Sequence, residues 1–235
     1  MKYPTITAVM VTLGRIDLVQ ESYHCFQSQT YPAKRLLIVT DGGEVEHEAL
    51  KNIAYQDKQV AVLHISGTKK TLGELRNISI EYATELSIQW DDDDWYGPTR
   101  MMDQWKGLSE GKAGVMLTEQ LHYFRDTGEV AWTVDTTGIE GTLLLDRKYK
   151  IKYPMHRRGE DTVVKRELQR RGLLSLVKGG TCYCRTYHGG NTWDRAHHVE
   201  RIKIMGKTEK QMNKQQLEKA AVMYNWKKDW KVIYG

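Results

Sequence analysis

The chain has 235 residues, 40% of them hydrophobic and 28% charged, and carries a formal net charge of +5. Such a composition suits one substantial α/β domain, with or without an appendage, and excludes a largely disordered chain. No apolar run approaches the roughly 18 residues of a membrane-spanning helix, and Met1-Lys2-Tyr3-Pro4-Thr5 lacks the apolar core of a signal peptide. The expectation is a cytoplasmic protein, peripheral to a membrane at most.

Residues 6–12 (ITAVMVT) form a short β-branched apolar run that predicts a buried strand ending at Gly14. A helix follows over 17–29, with Asp17 as its expected N-cap, and Tyr31-Pro32 stops it. A second strand, 36–40 (LLIVT), delivers the Asp41-Gly42-Gly43 turn; a helix over 44–55 and a strand over 60–65 come next. Thr71-Leu72-Gly73-Glu74 has the spacing of a capping box and opens a helix expected to reach residue 86. A strand over 87–90 then leads into Asp91-Asp92-Asp93-Asp94. Alternating strands and helices imply a largely parallel sheet, whose ligands sit beyond the carboxyl ends of the strands. Gly14, Asp41 and Asp91 all fall at such ends.

The second half is less regular. Strands are expected over 115–124, 129–134 and 141–145, and a helix over 160–171. From residue 195 onward the chain is helical and basic, with ten Lys or Arg against four Asp or Glu. This segment suits a membrane surface, nucleic acid, an acidic partner or self-association into a homo-oligomer. Cys25, Cys182 and Cys184 read as reduced thiols, because Cys182-x-Cys184 has no second pair to complete a zinc site.

Four adjacent carboxylates repel one another, and a hard cation bound between them relieves the repulsion. If the strand continues through them, Asp91 and Asp93 face one way and Asp92 the other, with Asp94 able to join the first pair. Mg²⁺ or Mn²⁺ held there would neutralise a diphosphate leaving group.

The segment from Ile88 to Pro98 (IQWDDDDWYGP) resembles the Asp-x-Asp region of family 2 glycosyltransferases, which have the GT-A fold. Gln29-Thr30-Tyr31-Pro32, Asp41-Gly42-Gly43, Leu75-Arg76-Asn77, Gly141-Thr142-Leu143-Leu144 and Gly159-Glu160-Asp161 are similar to that family's other segments and occur in its order. The resemblance implies a GT-A, Rossmann-like sheet with covering helices over residues 1–194, followed by a basic helical extension over 195–235. It implies a metal-dependent, inverting transfer of a sugar from a nucleotide-diphosphate sugar, with a UDP-sugar favoured.

By the same resemblance Asp41 would contact the base or ribose. Asp91 and Asp93 would hold metal and diphosphate, with Asp92 and Arg76 on the donor side. Asp161 would be the general base, with Glu160 beside it toward the acceptor. Tyr187-His188-Gly189-Gly190-Asn191-Thr192-Trp193 is similar to a later family segment, which makes His188 a candidate metal ligand and Trp193 an acceptor-side residue. Arg185 is a candidate diphosphate clamp, and Trp132 lies in the region that shapes the acceptor site. The first strand departs from the family in reading Thr12-Leu13-Gly14-Arg15, although Thr12 is still expected to face the donor.

The acceptor is open: a polysaccharide, lipid-linked, protein or DNA hydroxyl all fit. Trp226, Trp230 and Tyr234 among lysines motivate the DNA reading. Two other classes compete. A metal-dependent nucleotidyltransferase or other phosphoryl-transfer enzyme would use the aspartates for metals. A non-catalytic donor-binding protein would keep the fold without turnover.

Overall fold

The computed structural model describes residues 2–205 and 214–233. Strands β1 (Ile6–Thr12), β2 (Lys34–Thr40) and β3 (Val60–His64) alternate with helices α1 (Ile16–Gln27), α2 (Glu44–Gln56) and α3 (Leu72–Tyr82) before β4 (Leu86–Gln89). After the aspartates come β5 (Trp95–Tyr96), α4 (Arg100–Gly107), β6 (Gly114–Leu117), β7 (Glu119–Phe124), β8 (Glu129–Val134) and β9 (Leu144–Asp146). Helix α5 (Glu160–Arg170), β10 (Leu174–Val177), β11 (Tyr183–Tyr187), α6 (Arg195–Met205), α7 (Lys214–Met223) and β12 (Lys231–Val232) complete the described order.

Two sheets result. The first has seven strands in the order β10-β6-β9-β4-β1-β2-β3. Only β9 runs antiparallel to its neighbours there. Its central strands are buried on both faces, as their continuous Val/Ile/Leu runs require. Ile6, Ala8 and Met10 join Phe26, Ile38 and Trp90 in the largest apolar cluster. Register then sets the site: Thr12 lies beside Thr40, and Val9 beside Gln89, so β1, β2 and β4 release their chains at one edge.

The second sheet, β12-β8-β7-β11-β5, is entered from that edge, where the chain leaves β4 and runs through the aspartates into β5. One face, with Leu121, Tyr123 and Cys184, is covered by Leu217 and Ala220 of α7 and by Tyr224 and Trp226. The basic C-terminal segment thus contributes core as well as charge. Trp226 is buried and Trp230 packs beside it, so they form no exposed stacking platform among the lysines. Lys207, Lys210 and Tyr234 lie outside the described residues.

Several expectations shift. Helix α1 begins with Arg15 at the N-cap, and Asp17 sits in its first turn instead. The Thr71–Glu74 capping box forms as expected, but α3 ends at Tyr82. There Thr84 bonds Thr7 Oγ1 through its amide and Thr5 O through its hydroxyl, drawing the chain out of the helix. The single strand expected over 115–124 is two strands in different sheets, broken at Thr118. Gly141 and Thr142 belong to a turn ahead of β9, where Gly141 adopts a φ of +89° that favours glycine. All three cysteines are free thiols.

Candidate active site

The four aspartates occupy a turn between β4 and β5, not an extended strand. Each therefore points somewhere different. The Asp91 backbone carbonyl accepts hydrogen bonds from Ser22 Oγ and Tyr96 OH, both at 3.0 Å. Its carboxylate accepts from Arg76 Nη2 (3.1 Å) and Gln89 Nε2 (3.3 Å). Asp92 is buried; Thr12 Oγ1 donates to it at 2.6 Å and the Arg15 guanidinium pairs with it. Burial, and then the charge of Asp93, push the Asp92 carboxyl up to about 6 despite Arg15 and Thr12.

Asp93 Oδ2 faces His188 Nε2 at 3.3 Å, Arg15 Nη2 at 3.1 Å and Asn191 Nδ2 at 3.4 Å. Burial alone would raise this carboxyl, but the His188 hydrogen bond and the Arg15 charge hold it below the usual range. Asp94 turns inward, accepting from Tyr183 OH (2.6 Å) and the Thr186 amide (2.9 Å). Burial, reinforced by Asp93, moves it up to about 7.

Three placements bear on the expectations. Thr12 and Asp92 bond each other in the interior. Asp94 braces β11 through Tyr183 and the Thr186 amide. Asp91 is engaged by Arg76, and no trio of Asp91, Asp93 and His188 ligand atoms closes within 4.8 Å among the described residues.

Asp93 Oδ2 and His188 Nε2 remain as the pair that fits a divalent cation. Their 3.3 Å separation suits two ligands of one ion, and carboxylate with imidazole suits Mn²⁺. A cation there would compete with Arg15 for the same oxygen.

The opposite wall comes from α3 and α5. Arg76 is buried; its Nε donates to Glu160 Oε1 at 2.7 Å while its Nη2 holds Asp91. Glu160 is 2% exposed and holds the Arg76 guanidinium in place. Next to Arg76, the Asn77 side chain clasps both backbone polar groups of Tyr153, at 2.8 and 2.9 Å. Gly73 lies so close to this loop that a Cβ would overlap Pro154 O, which only glycine avoids. The loop so docked carries Gly159, whose φ of +72° turns the chain into α5.

Asp161 stands in the first turn of that helix. Among the described residues its carboxylate accepts from the Thr162 amide alone, at 2.8 Å. A helix N-terminus favours the ionised form, which predicts low basicity, yet the carboxyl is raised. Burial is the largest cause and the Glu160 charge the next, outweighing Arg76 and Arg185. Arg185 donates to Glu140 O at 3.0 Å, beside Gly141.

Asp41 Oδ2 accepts from the Lys70 amide at 2.9 Å, while Asp41 Oδ1 is buried without a partner. Trp193 is 42% exposed and stacks on His197, with the Arg158 guanidinium 5.3 Å from its ring centre. It lines an open cleft of about 650 Å³ with Tyr187, Asn191 and Glu200. Trp132 pairs with Leu121 and packs in the α7-covered cluster, on the sheet face away from Arg185.

Two arginines escaped sequence reading. Arg15 crosses 77 positions to reach Asp92. Arg100 is fully buried, donates to Gln89 O at 2.7 Å and lies 4.4 Å from the Tyr96 ring centre, propping the chain beneath the aspartates. The Gln29-Thr30-Tyr31-Pro32 segment is structural as well: Gln29 Nε2 donates to Gly97 O at 2.8 Å and the Thr30 amide to Pro98 O at 2.8 Å.

The model of glycosyl transferase family 2 matches residues 7–188, from β1 through His188. The chain belongs to that family. The match runs from β1 through β11 and includes every aspartate described above. No curated protein matches the chain significantly. Among solved structures, S. aureus TarS 1–349 in complex with UDP aligns with a TM-score of 0.64 at 12% identity, over 85% of this chain and 70% of that one. A mannosyltransferase from Pyrobaculum calidifontis in complex with GDP-Man and Mn²⁺ aligns with a TM-score of 0.64 at 13% identity, over 95% of this chain and 64% of that one. These likenesses establish the GT-A glycosyltransferase fold. No helix among the described residues of this family 2 chain is long and apolar enough to cross a membrane.

Proposed function

We propose that this glycosyltransferase moves a sugar, with inversion, from a nucleotide-diphosphate sugar to an acceptor hydroxyl, with a UDP-sugar as the favoured donor. The observation that carries the reading is Asp161: a raised carboxyl free of any direct cation contact among the described residues, within electrostatic range of Asp91, Arg76 and Arg185. A general base needs that combination of basicity and freedom. A nucleotidyltransferase would leave it without a task.

The donor would lie across the released ends of β1, β2 and β4. The unpartnered Asp41 Oδ1 supplies an acceptor for the uracil N3–H or a ribose hydroxyl. TarS has also been solved with UDP-GlcNAc and the mannosyltransferase with GDP-Man, so both base types occur on this fold. Arg185 supplies a guanidinium for the diphosphate. Asp93 and His188 would hold Mn²⁺ or Mg²⁺, whose bound charge supports the departing diphosphate. Asp161 takes the proton of the acceptor hydroxyl as that oxygen attacks the anomeric carbon from the side opposite the leaving group. Trp193, exposed beside the open cleft, offers a face for the acceptor.

Incubation with a panel of nucleotide sugars and Mn²⁺, reading nucleoside diphosphate release, tests this reading. Diphosphate release from one sugar class supports it. Pyrophosphate release or phosphodiester cleavage would assign phosphoryl transfer, and stable binding without any turnover a non-catalytic role.

A further inference from the structure

Two histidines outside this site converge on one carboxylate. Glu44 and His47 lie in the first turn of α2, and His64 closes β3. The two imidazoles lie face to face, with ring centres 4.2 Å apart and planes inclined by 33°. Glu44 Oε2 is 3.6 Å from His47 Nδ1, and Glu44 Oε1 is 3.6 Å from His64 Nδ1. One ligand atom from each of the three residues lies within 4.8 Å of the other two.

The tautomers favour a cation. His64 Nε2 lies 3.0 Å from Gly42 O. A carbonyl can only accept, so Nε2 carries the proton and Nδ1 presents its lone pair toward Glu44. His47 Nδ1 is buried and has no hydrogen-bond partner. At 3.6 Å neither contact with Glu44 is a hydrogen bond. Tetrahedral zinc with bonds of about 2.0–2.1 Å separates its ligands by roughly 3.3–3.4 Å, against 3.6 Å between each histidine nitrogen and its nearer Glu44 oxygen. The Gly42 carbonyl on the far side of His64 is the outer contact that orients a metal-binding imidazole. The positive end of α2 opposes a cation, but Glu44 and Glu46 in its first turn offset that.

We propose that Glu44, His47 and His64 form a three-ligand site for a borderline transition-metal ion, Zn²⁺ foremost, with a fourth position open to water. Two imidazoles and one carboxylate suit zinc, whereas Mg²⁺ prefers an all-oxygen shell. The ion would tie β3 to α2 and, through Gly42, to the turn that bears Asp41. The site is separate from Asp93 and stands whether or not the sugar-transfer reading holds.

Calorimetric titration of the metal-free full chain with Zn²⁺, alongside Co²⁺ absorption, decides the matter. A Zn²⁺ site that persists in Asp93→Ala is expected, with tetrahedral Co²⁺ bands. Glu44→Gln, whose side chain is 77% exposed and so leaves folding intact, should weaken binding on the order of tenfold or more. His64→Ala should abolish it, and Asp93→Ala should retain it. Absence of Zn²⁺ binding, equal binding by wild type and Glu44→Gln, or loss of all Zn²⁺ binding in Asp93→Ala would each overturn the proposal.

Discussion

Arg15 Nη2 lies 3.1 Å from Asp93 Oδ2, the oxygen that also faces His188. An internal cation thus sits on the oxygen that the proposed metal would use, at the point where the first strand departs from the family's usual sequence. Arg15→Ala removes this competitor and should lower the Mn²⁺ concentration that half-saturates donor binding. It also leaves the buried Asp92 with Thr12 as its one remaining partner among the described residues, at a cost of about 1–3 kcal/mol. Mn²⁺ titration and a thermal melt measure the two effects; unchanged Mn²⁺ dependence would mean that Arg15 and the metal do not share Asp93.

Asp161→Asn keeps the shape of the side chain and removes its basicity. Turnover should fall about 10²–10⁴-fold, with donor affinity nearly unchanged. Comparing kcat with the donor dissociation constant separates this from a merely structural cap, which would alter neither.

The acid limb of the pH–rate profile should lie above the ordinary aspartate range, because a general base acts ionised and the Asp161 carboxyl is raised. Glu160 raises it, so Glu160→Gln should move the limb to lower pH. Arg76 lowers it, so Arg76→Met should move the limb higher. Breaking the buried Arg76–Glu160 pair from either side should also cost about 3–5 kcal/mol of stability. Profiles of kcat/KM against pH for the three proteins give the signs directly.

Much of the site was legible because it is local. Strand–helix alternation placed Asp41 and Asp91 at strand ends, and the Thr71–Glu74 spacing gave the cap of α3. The directions of the four aspartates were not legible, because a turn replaces the extended strand that the alternation argument assumes. Arg15 and Arg100 were invisible for a different reason: their partners are set by the sheet register, and nothing nearby in sequence marks them. The apolar run through residues 115–124 hid a change of sheet at Thr118, where the Thr118 amide bonds Val177 O and its carbonyl accepts from Asp135. Short elements such as β5 and β12 carry too few residues for any periodicity.

The C-terminal segment offers a stability prediction. Trp226 is 6% exposed and stacks on Tyr123 at 5.4 Å. Trp226→Ala should cost about 3–5 kcal/mol, visible as a lower denaturation midpoint. A surface role for this tryptophan predicts almost no change.

The most direct test of the central claim is equilibrium binding of UDP and UDP-sugars, with and without Mn²⁺, to the wild type and to Asp93→Ala. The account predicts binding that Mn²⁺ strengthens in the wild type and leaves unaffected in the variant. Equal Mn²⁺ enhancement in both proteins, or no nucleotide-diphosphate binding by a folded wild type, would contradict it.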